Sequence, residues 1–270
     1  MKKFTQALFL VLFILLGLSG CGQKPTEDSW ATINQEKEIT IGLDDTFVPM
    51  GFRDKDGKLT GFDIELAKAV FKEYGIKVNF QPIDWSMKEF ELTNGTIDLI
   101  WNGYSKTPAR EKKVQFTQPY MENLQVLITP KSSKITSFAD MKGKILGAQN
   151  GSSGYDVFTK QPEVLKDYVK NQEAVLYDSF NEALIDLRSG RIDGLLMDRV
   201  YANYYLKQKN QLQDYHILTG DYASEDFAVG ARKSDQTLVT KINQAFDQLE
   251  ASGEFQKLSQ RWFGEDVTPK

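Results

Sequence analysis

FDIELAKAVFKEYGIKVNFQ, residues 62–81, sets a helix directly ahead of a strand. Phe62, Leu66, Val70 and Tyr74 recur four residues apart with Ile64, Ala67 and Phe71 beside them, the pattern of an amphipathic helix, and Gly75 is placed to end it. Residues 76–81 (IKVNFQ) then read as a strand. On the N-terminal side, 39–43 (ITIGL) forms another strand, and Asp56-Gly57 marks a hairpin between 50–53 and 59–62. On the C-terminal side, Ser86-Met87-Lys88-Glu89 has the spacing of a capping box opening a helix that stops near Asn94-Gly95. The apolar run 97–101 (IDLIW) suits a strand inside a parallel sheet. Thr107-Pro108 then supplies a cap and a first-turn proline ahead of Ala109-Arg110. Strand and helix alternate throughout, which predicts an α/β fold.

The order partly recurs further on. A short helix over 137–142 precedes a strand over 144–148 and a glycine–serine turn, Gly151-Ser152-Ser153-Gly154. Ser179-Phe180-Asn181-Glu182 repeats the capping-box spacing, and its helix ends at Ser189-Gly190 before the apolar strand 192–197. Asn94-Gly95-Thr96-Ile97-Asp98-Leu99 and Ser189-Gly190-Arg191-Ile192-Asp193-Gly194 share one plan: a helix end, a glycine turn, then Ile-Asp entering an apolar strand. Two such halves predict two similarly built lobes. Helices over 237–250 and 253–263 and a polar tail, 265–270, complete the chain.

The first residues carry an address. Lys2 and Lys3 precede an apolar run over 7–18, too short to span a bilayer, and Leu18-Ser19-Gly20 leads to Cys21, the single cysteine. This three-part build predicts an export signal over 1–20, and its end resembles a bacterial lipobox in which Cys21 is lipidated. Residues 21–36 are polar and predict a flexible tether. The 270-residue chain carries a net charge of −4, and losing Lys2 and Lys3 takes it to about −6. That acidic body lacks the basic patch that nucleic-acid binding needs. With 12% aromatics it holds enough apolar mass for real cores without disulfides.

Signals for catalysis are poor. His216 is the single histidine, Cys21 is committed to lipid, and no phosphate loop, nucleophile elbow or metal-ligand cluster is present. No catalytic residue, metal or cofactor is expected; Asp98 and Asp193, on separate strands, make a thin case for acid–base chemistry. Binding signals are better. Gly103-Tyr104-Ser105-Lys106-Thr107-Pro108-Ala109-Arg110 follows the C-terminal end of the 97–101 strand, where open α/β sheets receive ligands. A helix N-terminus, the Ser105 hydroxyl and the Arg110 guanidinium suit a carboxylate there. Taken alone, Arg110 better fits a solvated residue on a capped helix.

Gly61-Phe62-Asp63-Ile64-Glu65-Leu66-Ala67 resembles the signature of the family 3 extracellular solute-binding proteins of amino-acid ABC importers. Phe47-Val48-Pro49, the 103–110 stretch, Phe138-Ala139-Asp140-Met141-Lys142-Gly143-Lys144 and Arg261-Trp262-Phe263-Gly264 extend the resemblance over most of the mature chain. It implies a two-lobed, type II periplasmic-binding (Venus-flytrap) fold. Lobe one would comprise 37–122 and 225–264 and lobe two 123–224, with crossings near 120–126 and 221–227. It further implies that Arg110, Ser105 and Gly103 hold the α-carboxylate and part of the α-amino group, with Ser152 and Ser153 adding contacts from lobe two. Asp198 would pair with the ammonium, Phe47 and Trp85 would wall the side chain, and Asp44 and Gln149 would sit at specificity positions, with Asp45 leaving open which carboxylate points inward. The expected protein is a monomer, anchored outside a bacterial membrane by lipid on Cys21, that delivers a polar amino acid to a permease. Gln149 and Met197 weaken a strict glutamine assignment, and a neutral, roomier pocket would suit cystine or a thiol peptide such as glutathione. An exported dehydratase-like enzyme on the same fold is the reading of another class.

Overall fold

The computed structural model describes residues 27–269; the leader, Cys21 and its lipidation lie outside the described residues. Two five-stranded sheets organise the chain. The first orders its strands Lys77–Pro82, Glu38–Leu43, Leu99–Ile100, Gly230–Ala231 and Gln115–Phe116. The second orders them Ala174–Tyr177, Leu146–Gln149, Gly194–Asp198, Gln125–Pro130 and Tyr215–Thr219. Each has a parallel half, as the alternating pattern predicts, but each also contains one strand, Gly230–Ala231 or Gln125–Pro130, that follows a passage between lobes and runs antiparallel to both its neighbours.

The Ile-Asp repeat is structural. Asp98 accepts a hydrogen bond from the Thr40 backbone N–H of the neighbouring strand at 3.0 Å, and Asp193 accepts the equivalent bond from Ile145 at 2.8 Å. Each preceding isoleucine covers a glycine on that same neighbour: a Cβ on Gly42 or Gly147 would collide with Ile97 or Ile192, respectively. Both carboxylates are therefore engaged by backbone at the starts of strands.

The helix Phe62–Lys72 buries Phe62, Ile64, Leu66, Ala67, Val70 and Phe71 against the first sheet and the C-terminal helices Gln236–Ala251 and Glu254–Phe263. At about 1.5–3 kcal/mol for each large apolar side chain buried, that face alone accounts for the helix's place. One core runs continuously through both lobes, and each sheet also carries a separate smaller cluster.

Several local expectations are corrected. Trp30–Glu36 is a helix, not part of a tether: Ile33 is buried, Trp30 meets Tyr74 edge-on at 5.0 Å, and Ser29 N–H donates to Asp235. Ser86 does not form a capping box; Asp84 accepts from its N–H and hydroxyl, so the chain first makes a short 3-10 turn before the helix Lys88–Asn94. The 151–154 turn continues as the helix Ser153–Lys160, capped by the Ser152 hydroxyl. Strand pairing stops at Thr60, and Phe62 already belongs to the following helix.

The chain passes between the sheets twice, between 117 and 124 and again between 220 and 229. These passages pair with one another, Met121–Asn123 antiparallel to Glu225–Phe227, and the latter also pairs with Ser105–Lys106. The expected crossings, 120–126 and 221–227, overlap these segments, with residues 125 and 126 already in the second sheet.

Candidate functional site

The carboxyl ends of the first sheet's strands lead to Asp44 and Gly103, Ser105 opens the short strand paired with the second crossing, and the second sheet's strand ends carry Gln149 and Asp198. Asp44, Phe47, Trp85, Gly103, Arg110, Ser152, Ser153 and Asp198 line one pocket between the lobes, together with Asn102. Ser105 and Gln149 bond directly to its walls. All ten expected residues thus converge, although their chain positions span more than half the sequence.

Arg110 is 4% exposed. Thr107 caps its short helix, accepting from the Arg110 N–H, and the guanidinium lies 4.6 Å over the Tyr104 ring. It donates to the Ser105 carbonyl at 3.0 Å and, across the cleft, to the Gly151 carbonyl at 3.1 Å. Lys88, equally buried, donates to the Trp85 and Gly151 carbonyls at 2.9 and 2.8 Å. Burial, and then the Arg110 charge, push its ammonium down to about 7.

Gly103 adopts φ +56°, and a Cβ there would sit 2.7 Å from the Phe47 ring, so the position requires glycine twice over. Its N–H donates to Asp63 at 2.7 Å, and the Tyr120 hydroxyl donates to the same oxygen at 2.9 Å. Asp63, the acid of the 61–67 motif, is thereby a buried brace between the pocket and the first crossing. Burial raises its carboxyl to about 7 against those bonds.

Of the adjacent acids, Asp44 faces the pocket. Its carboxylate accepts from Thr46 and, across the cleft, from Gln149 at 2.8 Å, while Asp45 pairs with Arg53 outside. Burial raises Asp44 above the usual carboxylate range despite those bonds. Phe47 packs on Phe180 and Tyr201 of the second sheet's helices, and Trp85 meets Tyr104 edge-on.

Asp198 occupies a helix N-cap position but makes no capping bond among the described residues. Its Oδ1 instead accepts from Asn123 at 2.6 Å and Gln125 at 2.8 Å. Burial and then the Glu225 charge push its carboxyl up to about 7. Glu225 accepts from Ser105 at 2.7 Å and Ser153 at 2.9 Å, one hydroxyl from each lobe. Sequence reasoning missed Glu225, Asn123, Gln125 and Lys88. Asn123 and Gln125 interrupt an otherwise apolar strand entry, a signal that was available; Glu225 sits among other acids and polar residues and offered none. With Glu225 included, the pocket is richer in carboxylates than the neutral one expected.

A guanidinium facing buried carboxylates can hold a zwitterion. His216 pairs along a strand with Thr129, away from the pocket. Among the described residues no group of three or more potential ligands could hold a metal ion, and no helix is long and apolar enough to cross a membrane.

The chain is similar to known proteins over most of its length. The profile of bacterial extracellular solute-binding proteins, family 3, matches residues 39–265. The L-cystine-binding protein TcyJ of Escherichia coli (strain K12) is 32% identical over 97% of this chain and 97% of its own. Among solved structures, an ABC uptake transporter substrate-binding protein from Streptococcus pneumoniae with bound histidine is 61% identical, with a TM-score of 0.89 over 90% of this chain and 99% of that one. An ancestral arginine-binding protein bound to arginine is 36% identical, with a TM-score of 0.77 over 84% and 99% of the two chains. The fold is the two-lobed, type II periplasmic-binding fold, and the chain belongs to the bacterial extracellular solute-binding proteins of family 3.

Proposed function

We propose that this protein captures a polar amino acid with a nitrogen-bearing side chain, L-histidine being the first to test, for an amino-acid ABC importer. The observation that carries the reading is the burial of Arg110 and Asp198, from opposite lobes, at one pocket. Their opposite charges suit an α-carboxylate and an α-ammonium. Arg110, beside Ser152 and the serine pair Ser105 and Ser153, takes the carboxylate, and Asp198 takes the ammonium together with the Gly103 carbonyl, whose N–H is already engaged by Asp63. Phe47 and Trp85 wall the side chain, and Asp44 with Gln149 meets its polar end. A third buried carboxylate at that end favours a side chain that donates hydrogen bonds or carries positive charge. The histidine seen in the 61% identical S. pneumoniae protein supports the same choice.

Capture follows from hinge closure: a ligand that bonds to both lobes binds the closed arrangement better than the open one and shifts the population toward it. The closed protein, a monomer held outside the membrane by lipid on Cys21, then presents its ligand to the permease. Tethering keeps the local concentration of binder near the permease high. The ligand leaves chemically unchanged, and NMR of ligand incubated with the protein would reveal any dehydratase-like product.

Mass spectrometry of compounds released from the denatured protein, with thermal-shift titration of L-histidine, L-arginine, L-cystine and glutathione, tests the reading. A ligand at 100 times its dissociation constant stabilises the native state by about 2.7 kcal/mol, an easily read shift. No released amino acid and no shift with any of the four would refute it. Cystine is the second reading, favoured by the match to TcyJ over nearly the whole of both chains.

A further inference from the structure

Two buried carboxylates meet beside the pocket from different parts of the chain. Asp198 ends the strand Gly194–Asp198, and Glu225 opens the strand Glu225–Phe227 on the second crossing. Every donor that reaches Glu225 goes to Oε2: Ser105 Oγ at 2.7 Å, Ser153 Oγ at 2.9 Å and Gln125 Nε2 at 3.2 Å. Its Oε1 is buried and has no partner among the described residues, and the residue is 8% exposed. Asp198 likewise receives both its donors on Oδ1, and the residue lines the pocket. Gln125 Nε2 is shared between the two acids.

Among the described residues no cationic side chain hydrogen-bonds to this pair. Arg110 donates to the carbonyls of Ser105 and Gly151, and Lys88 to those of Trp85 and Gly151, rather than to either acid. A buried carboxylate oxygen without a donor is costly, and two such acids side by side repel. The site is built one cation short, in the place where the reading above puts an ammonium.

We propose that Glu225 is a ligand-binding residue, a second carboxylate that receives the α-ammonium together with Asp198. An ammonium has three donors and no acceptor, so a seat with two carboxylates satisfies it better than one. Because Ser105 and Ser153 reach Glu225 from opposite lobes, the same side chain also ties the seat to closure. The inference rests on the amino-acid reading above.

The test compares each ligand with its des-amino analogue. Of L-histidine, L-arginine and L-cystine, the tightest binder to the wild type is titrated by calorimetry beside 3-(imidazol-4-yl)propionate, 5-guanidinovalerate or 3,3′-dithiodipropionate, respectively. In E225Q, which keeps an oxygen for the three donors, the amino acid should bind at least tenfold more weakly while the analogue changes less than threefold. Ligand-free E225Q should melt no lower than the wild type, since a repulsive charge has been removed. Equal losses for both compounds, or unchanged binding with a lower melting temperature, would overturn the assignment. Should E225Q fail to fold, D198N decides: with Glu225 still in place it should keep at least a tenfold preference for the amino acid over its analogue, and loss of all preference overturns the proposal. A wild type that binds none of the three amino acids defeats the underlying reading instead, which separates the two failures.

Discussion

Replacing Arg110 by methionine removes a buried charge while keeping an apolar stem against the Tyr104 ring. In the closed protein the guanidinium makes two bonds, to the Ser105 carbonyl within its lobe and to the Gly151 carbonyl across the cleft. A ligand carboxylate adds at least one charge-assisted bond, worth about 1.5–3 kcal/mol. At about 1.4 kcal/mol for each factor of ten, R110M should bind its amino acid roughly 10- to 150-fold more weakly. Folding should suffer little. The nearest carboxylate, on Glu89, is 4.0 Å away, so no tight buried ion pair is broken, and Lys88 still donates to the Gly151 carbonyl. Calorimetric titration gives the dissociation constant, and thermal unfolding without ligand checks the fold. R110K, which keeps the charge but loses the two-pronged geometry, should fall between wild type and R110M. A well-folded R110M that binds within threefold of the wild type would refute the placement of the carboxylate at this residue.

Asp44→Asn should erode preference for a cationic side chain, lowering affinity for histidine or arginine more than for glutamine in competition titrations; equal losses would remove Asp44 from the side-chain end. Asp198 and Asp63 are both raised to about 7, so between about pH 4 and pH 7 the native state holds protons that the unfolded chain has released. Their contribution to ligand-free stability therefore falls as pH rises through that window, and D198N should melt with a shallower decline than the wild type; parallel melting curves would contradict this. Arg232, 7% exposed, pairs with Asp98 at 2.9 Å and Asp235 at 3.0 Å and donates to the Ile97 carbonyl. R232M should destabilise by about 3–5 kcal/mol in denaturant unfolding while leaving the affinity of the folded fraction unchanged, because it strands two carboxylates far from the pocket.

What could be read from the sequence follows the range of the interactions. The helix Phe62–Lys72 and the Thr107 cap depend on residues within four positions of one another, and they emerged as expected. The Ile-Asp repeat showed two lobes but not its reason, which lies in glycines and backbone N–H groups on neighbouring strands. The Trp30–Glu36 helix escaped because its polar composition masks Trp30 and Ile33, whose partners stand at Tyr74 and in the distant core. The choice between Asp44 and Asp45 turned on Arg53, eight residues beyond Asp45, and on Gln149 in the other lobe. Glu225 was the hardest to see: its three donors lie 120, 72 and 100 residues away in the chain.

That distance has a mechanical consequence. Arg110 stands on an element of the first lobe, whereas Asn123, Gln125 and Glu225 stand on or beside the crossings themselves. A carboxylate bound at Arg110 would touch a lobe, but an ammonium seated on Asp198 and Glu225 would touch the segments that must bend when the lobes part. Opening would draw Ser153 away from Glu225, stripping one of the donors that hold it in place, while Ser105, whose strand pairs with Glu225–Phe227, would stay with it. Loss of the ammonium would leave two like charges adjacent in a buried site, which favours opening. Ligand occupancy and hinge position would then bias the same small network, and each would report the state of the other without any longer path through the fold.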